Sequence, residues 1–146
     1  AWQAGQSLTL RYPQAVRPWQ HVLEPLHGYL SLAQVLVEQG EAVAAAWNFG
    51  PDNEGLVSVG ELVERLAQRW PGEARWTVEA SGQPHEAGLL ALDSSQARVR
   101  LDWRPRWNLQ QAIERTLDWH QAWQAGENMQ TFSRAQIAAY QGETHE

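Results

Sequence analysis

The chain has 146 residues, 43% of them hydrophobic and 19% charged, which suits one globular domain with a hydrophobic core. The formal net charge of −6 argues against a nucleic-acid partner, because such a partner would require a basic face. The chain has no cysteine for a disulfide or a thiolate metal site, no signal peptide and no membrane-length apolar run, so we expect a cytoplasmic protein without a membrane partner.

The first half of the chain predicts two extended segments, a helix and a strand. Residues 7–12 alternate in polarity as a half-buried strand does, and residues 17–22 are extended because a residue before proline avoids helical angles. A helix follows, with Pro25 in its first turn and Gly40 just past its end. Residues 45–49 predict a buried strand. Apolar residues at helical spacing mark the helix: Leu26, Tyr29, Leu30, Ala33, Leu36 and Val37.

The second half predicts four helices and two short strands. A capping box at residues 58–61 opens one helix, and residues 75–79 and 89–92 read as strands around a loop. Asp93 is predicted to cap a short helix reaching about residue 101, and Asn108, with Gln111, to cap a longer one. A last helix is predicted over about 133–141. These patterns predict an α/β fold in one lobe.

The sequence lacks lysine and the common motifs of enzyme active sites. All eleven residues counted as Lys or Arg are arginine, so there is no lysine for a Schiff base, a P-loop or a Tyr-Lys catalytic pair. There is no Gly-x-Gly-x-x-Gly for a dinucleotide, no nucleophile elbow, and the five histidines lack the spacing of a zinc helix. We therefore expect no catalytic residue, no metal site and no bound cofactor in this chain.

The aromatic and basic residues allow two interpretations each. Five of the nine tryptophans lie in predicted strands and helices, or beside them, and are expected to pack a core: Trp47, Trp70, Trp76, Trp119 and Trp123. Trp19, Trp103 and Trp107 lie in loops rich in Arg and Pro, where they could stack on arginine or on a ligand. Residues 104–106 are either a phosphate-binding segment or a solvent-exposed turn. Arg17, between two elements, suits bidentate phosphate recognition.

Four segments, in order, carry a resemblance to a known family. They are residues 16–26 (Val-Arg-Pro-Trp-Gln-His-Val-Leu-Glu-Pro-Leu), 47–51 (Trp-Asn-Phe-Gly-Pro), 84–87 with 92–97, and 101–109 (Leu-Asp-Trp-Arg-Pro-Arg-Trp-Asn-Leu). Together they resemble the CDP-glucose 4,6-dehydratases, a branch of the extended short-chain dehydrogenase/reductases, also called the NAD-dependent epimerase/dehydratase family. Asp102 and Gln96 depart from the family, which usually has Gly and Lys there.

The resemblance implies that residues 1–146 are the C-terminal, sugar-nucleotide-binding domain of a longer enzyme. Its N-terminal Rossmann half, which would bind NAD and carry the catalytic residues, is missing. The complete enzyme would convert CDP-glucose to CDP-4-keto-6-deoxyglucose for surface polysaccharides, and the fragment alone would be inactive. The resemblance also implies a substrate-binding set of Arg17 at the diphosphate, His21, Asn53 at the base or ribose, and His85 and Glu86 on a covering loop.

Several alternatives stay open. Asn53 and Glu86 could equally be turn-forming or capping residues. The parent could be another nucleotide-sugar dehydratase or epimerase, or the chain could be a stand-alone Trp-rich sugar-binding or interaction domain.

If a Rossmann half is missing, the predicted helix at Pro25 and the strand at Trp47 would lose their packing partner. We then expect an exposed apolar patch and self-association.

Overall fold

A computed structural model describes residues 1–79 and 87–142 and has a mixed α/β fold. The described residues form four short strands and five α-helices. These are β1 (Leu8–Leu10), β2 (Val16–Pro18), α1 (Leu23–Gln39), β3 (Leu56–Ser58), α2 (Val59–Ala67), β4 (Trp76–Val78), α3 (Ser95–Arg100), α4 (Leu109–Gln124) and α5 (Met129–Gly142). The predicted α/β class is confirmed.

The four strands form two sheets of two strands each within the described residues. β1 and β4 are parallel, whereas β2 and β3 are antiparallel, with Arg17 opposite Val57. Leu89 makes a single parallel bridge to Val16, so the strand predicted over residues 89–92 is reduced to one bridge. The β2–β3 sheet brings the segment around Arg17 next to the segment around residue 56, and this positions the site described below.

The starts of α4 and α5 follow asparagine caps. The Asn108 side chain accepts the N–H of Gln111 and the Gln111 side chain accepts the N–H of Asn108, so the predicted start of α4 is confirmed. The last helix begins at Met129 rather than near residue 133, because the side chain of Asn128 caps it by accepting the N–H of Thr131 at 3.1 Å. An asparagine cap was therefore overlooked in the sequence.

Residues 45–49 were predicted as a strand, and this prediction is wrong for the described structure, where they have no strand partner. The backbone N–H and C=O groups of a strand form hydrogen bonds with a neighbouring strand. Here side chains take that place: the Phe49 carbonyl accepts from Gln20 Nε2 at 2.8 Å, and the N–H of Gly50 donates to Ser94 Oγ at 2.7 Å. The segment is an irregular connection held by side chains.

Two hydrophobic clusters form the core. One joins β3 to α4 through Val57, Leu109, Ile113 and Leu117, and the other joins Phe49, Ala97 and Trp103. Trp103 and Trp107 lie in the segment between α3 and α4 as predicted, but they are 1% and 2% exposed, and the Arg115 guanidinium lies 5.4 Å from the centre of the Trp107 ring. The predicted core position is wrong for Trp119 and Trp123, which are 37% and 52% exposed. Contacts distant in sequence decide this distribution.

A buried carboxylate joins α1 to the second half of the chain. Glu24 is fully buried, and its carboxylate accepts the N–H of Arg106 at 3.0 Å, the N–H of Trp107 at 2.8 Å and the hydroxyl of Tyr140 at 2.7 Å. The Arg106 guanidinium lies 5.2 Å from the centre of the Tyr140 ring and donates to the Tyr140 carbonyl. Burial and the Glu24 carboxylate raise the pKa of Tyr140, which keeps its hydroxyl a donor. Three donors and a nearby cation compensate the desolvation of Glu24.

Candidate functional site

A polar cleft of about 570 Å³ lies beside the end of β2. Its size is within the range of small-ligand sites. Pro18 and Leu56 of the β2–β3 sheet form part of its lining, and the loop after residue 50 and the start of α3 supply the rest. The charged and amide groups in this lining are Asp52, Asn53, Glu54, Asp93 and Arg98. We refer to this space as the α3 cleft.

The loop that enters the α3 cleft is held by close packing as well as by hydrogen bonds. A Cβ on Gly50 would lie 2.7 Å from the Cβ of Leu92, and a Cβ on Gly55 would lie 2.7 Å from the Trp19 carbonyl oxygen. Glycine is therefore required at both ends of the loop. The Trp19 indole in turn donates to the Val57 carbonyl at 3.0 Å. The loop from Gly50 to Gly55, which forms one wall of the α3 cleft, is therefore fixed by close packing against its neighbours.

Asn53 lines this cleft at the start of a 3-10 turn, Asn53–Gly55. Its side chain is exposed, and an amide offers a ligand both a donor and an acceptor. The preceding residue, Asp52, accepts a hydrogen bond at 2.6 Å from Arg98, which lies 46 residues later in α3. The structure thus brings together the predicted Asn53 and two charged residues that the sequence analysis missed.

Asp93 contributes a second carboxylate to the cleft. Its Oδ1 accepts the N–H of Ser95 at 2.9 Å, at the start of α3. Hydrogen bonds from the hydroxyl and then the backbone N–H of Ser95 lower the pKa of Asp93. With Asp52 and Glu54, the lining described by the structure has three carboxylates and one cation, Arg98.

Arg17 lies in the middle of β2 and does not line the α3 cleft, although the next residue, Pro18, does. Its guanidinium donates to the carbonyl of Val16 at 2.7 Å. Arg17 and Asn53 are therefore on adjoining surfaces rather than in one pocket. The binding role of Arg17 stays a prediction.

His21 is buried, with 6% of its surface exposed. Its Nδ1 accepts the N–H of Leu23 at 3.3 Å at the start of α1, and its ring packs edge-on against Trp107 with 4.9 Å between centroids. Burial, and then the charge of Arg115, lower the pKa of His21 to about 4. This geometry gives His21 a packing role, and its predicted contact with a substrate stays a prediction.

His85 and Glu86 lie outside the described residues. The chain beyond them runs beside β2, because the N–H of Val16 donates to the Gly88 carbonyl at 2.8 Å and the N–H of Leu90 donates to the Val16 carbonyl at 3.1 Å. The residues that follow Glu86 are thus adjacent to Arg17 in space.

Arg98 and Asp52 carried only weak sequence signals. Arg98 is one of two arginines in the last turn of α3 and reads as a solvated helix residue, and Asp52 reads as part of a Gly-Pro turn. Of the alternatives left for residues 104–106, the structure favours a structural role for Arg106, whose guanidinium donates to the Tyr140 and Gln141 carbonyls at the end of α5. In residues 1–79 and 87–142, no group of three His, Asp or Glu side chains is placed to hold a metal ion.

The residues present do not fit a dinucleotide. The parallel pair β1–β4 is short, and β1 is followed by Arg11, Tyr12 and Pro13 rather than by a glycine-rich turn into a helix. The sequence has no lysine to pair with a tyrosine. No helix of the described residues is long and apolar enough to span a membrane.

Comparison with known proteins supports the resemblance seen in the motifs. No protein-family model matches the chain. CDP-glucose 4,6-dehydratase from Salmonella typhimurium is 40% identical over 144 residues, which are 99% of this chain. The predicted resemblance is confirmed. The chain spans about 40% of the length of that relative.

Proposed function

We propose that this chain is the C-terminal, substrate-binding domain of a longer nucleotide-sugar 4,6-dehydratase, with CDP-glucose as the substrate. The observation that carries the proposal is the 40% identity to CDP-glucose 4,6-dehydratase along almost the whole chain. The domain would comprise residues 1–146. Part of the relative's length has no counterpart here, and we assign NAD binding and the reacting groups to that part of a longer chain.

The chemistry of the α3 cleft supports this proposal. A nucleotide sugar presents hydroxyls on two rings, and carboxylates and an amide are suitable partners for hydroxyls. Asp93 and Glu54 accept hydrogen bonds from such groups, and Asn53 both donates and accepts. Arg17, one residue from the cleft lining, supplies a planar guanidinium for the diphosphate. His85 and Glu86 would belong to the loop that is proposed to cover the nucleotide. His21, which precedes α1, is the remaining member of the proposed substrate-binding set.

The experiment that tests substrate binding is isothermal titration calorimetry with the 146-residue chain. CDP-glucose is the ligand, and UDP-glucose and free glucose are the comparisons. We expect CDP-glucose to bind most tightly and free glucose not to bind measurably. Asn53→Ala should weaken CDP-glucose binding, whereas Gln110→Ala, a change on α4 outside the cleft lining, should not. Equal heats for all three sugars would contradict the proposal.

The proposal also states that the chain alone does not catalyse the reaction. It contains no lysine and no dinucleotide loop. Incubation with CDP-glucose and NAD should therefore produce no 4-keto sugar absorbance in alkali above a protein-free blank. Turnover by the chain alone would show that reacting groups are present in it and would overturn this part of the proposal.

Arg17 is tested in a longer chain that carries the remaining domain. Arg17→Lys should raise KM for CDP-glucose about ten- to a hundredfold with little change in kcat, because a point charge cannot replace the guanidinium fork and the diphosphate is bound equally in ground and transition states. The rival structural role predicts a lower melting temperature with KM unchanged. Arg65→Lys is the control, since Arg65 pairs with Glu61 on α2.

A further inference from the structure

Arg98 is the one cation in the described lining of the α3 cleft. The same lining contains three carboxylates, Asp52, Glu54 and Asp93. Its side chain is 30% exposed, and NH2 donates to Asp52 Oδ1 at 2.6 Å. A guanidinium has five N–H donors in a planar fork. The structure shows no second partner for this fork among residues 1–79 and 87–142. Most of its hydrogen-bonding capacity therefore remains for a ligand in the cleft.

Asp52 is a replaceable partner for this guanidinium. Its side chain is 60% exposed, and ion pairs that are open to water contribute little to stability. A phosphate group has a higher charge than a carboxylate and offers several acceptor oxygens, which a guanidinium binds through two parallel hydrogen bonds. Once displaced, the exposed Asp52 carboxylate can turn to solvent without a buried unpaired charge.

We propose that Arg98 is a phosphate-binding residue of the α3 cleft. In this proposal the Asp52 carboxylate pairs with the Arg98 guanidinium until the diphosphate of a ligand displaces the carboxylate. This inference rests on the proposed binding of a CDP-sugar and adds a second cation to Arg17. It assigns opposite roles to the two members of one ion pair: Arg98 attracts the ligand, and Asp52 competes with the ligand.

The opposite roles give the test. Titration calorimetry with CDP should show binding weakened about ten- to a hundredfold in Arg98→Gln, because a charge-assisted hydrogen bond is lost. In Asp52→Asn, CDP should bind about two- to fivefold more tightly, because competition and repulsion are both removed. A pair that only holds the loop of Asn53 in place predicts weaker binding for both variants. Weaker binding in Asp52→Asn, or unchanged binding in Arg98→Gln, would overturn the proposal.

Ligand and protein controls separate this effect from a general loss of structure. Cytidine lacks the diphosphate, so its affinity should be the same in the wild type and in Arg98→Gln, whereas a positioning role would weaken cytidine as well. Arg65→Gln breaks the Arg65–Glu61 pair on α2 and should bind CDP like the wild type. Arg98→Lys keeps the charge without the fork and should bind CDP with intermediate affinity.

The outcome also distinguishes the two proposals. If the wild-type chain binds neither CDP nor CDP-glucose, the proposed function fails and the role of Arg98 fails with it. If CDP binds and Arg98→Gln makes no difference, only the role of Arg98 is overturned.

Discussion

Helix α1 has two faces with opposite chemistry. The face toward the core carries Glu24 and Gly28, which are both buried, and the other face carries Leu30 and Val37, which are 72% and 88% exposed. In most helices of globular proteins the apolar stripe is buried and the polar residues are exposed. On α1, hydrogen bonds to a carboxylate and a close backbone approach determine which face packs inward. The apolar face remains available for another surface.

The inward face is held by polar and close steric contacts in addition to Leu32, which packs against the Phe49 cluster. The Glu24 carboxylate accepts from the backbone of Arg106 and Trp107 and from Tyr140. At Gly28 the helix lies against the ring of Phe49, so closely that a Cβ would be 2.3 Å from a ring carbon. The outward face makes no such contact within the described residues at Leu30 and Val37. Three experiments on α1 test this difference, and a fourth concerns the buried His21 just before the helix; they follow in order of expected effect.

Removing the buried carboxylate should have the largest effect. Glu24→Ala leaves two backbone N–H groups and the Tyr140 hydroxyl without their acceptor. We expect the free energy of unfolding, measured in urea, to fall by about 3–5 kcal/mol. Glu38→Ala, in the exposed last turn of the same helix, should change it by less than about 0.5 kcal/mol. A loss below about 1 kcal/mol for Glu24→Ala would contradict the role given to Glu24.

Adding one methyl group at Gly28 should have the next largest effect. Gly28→Ala forces the helix away from the Phe49 ring, and overpacking of this kind costs about 1–3 kcal/mol of unfolding free energy. Gly142→Ala is the control, because a Cβ there meets nothing within 4 Å. The double variant with Phe49→Leu should recover part of the loss. A neutral or stabilising Gly28→Ala would show that α1 does not pack this closely.

The buried His21 should make stability depend on pH. Its folded pKa is lowered to about 4, while the unfolded chain binds a proton near pH 6.5, so the unfolded state holds more protons between these values. Stability should therefore fall as pH falls from 7 to 4.5, with a contribution from His21 of about 2 kcal/mol.

His27 needs to be separated from this effect, because burial and Arg106 lower its pKa as well. Urea unfolding of His21→Gln at the two pH values isolates His21, since His27 is unchanged in this variant. We expect the variant to lose less stability on acidification than the wild type. An identical loss in both proteins would show that His21 is not protected from protonation.

Polar substitutions on the outward face should have the smallest effect on stability. Leu30→Gln combined with Val37→Gln should change the free energy of unfolding by less than about 0.5 kcal/mol. The same double variant should reduce self-association, which we predict for the wild type because its apolar face is exposed. Sedimentation velocity over a range of concentrations measures this. A wild-type chain that remains monomeric throughout would contradict the predicted self-association.

The candidate site was predictable only in part, for a physical reason. A motif resemblance predicted Asn53 as a binding residue, and the structure shows that it lines the α3 cleft, while its binding role stays a prediction. Arg98 was not predicted, because its position in the cleft and its ion pair involve Asp52, which lies 46 residues away. His21 was predicted as a binding residue, but its burial depends on Trp107, far along the chain. Patterns in the sequence do not contain these distances.

Local sequence patterns were enough to predict the α/β class and most helix limits. The Asn108 capping box and the Gly40 stop act within one turn of backbone, so neighbouring residues are enough to specify them. Local patterns did not predict that Glu24 faces inward, that Trp107 is buried or that residues 45–49 have no strand partner in the described structure. Each of these depends on partners distant in the chain, because burial and strand pairing are properties of the assembled fold.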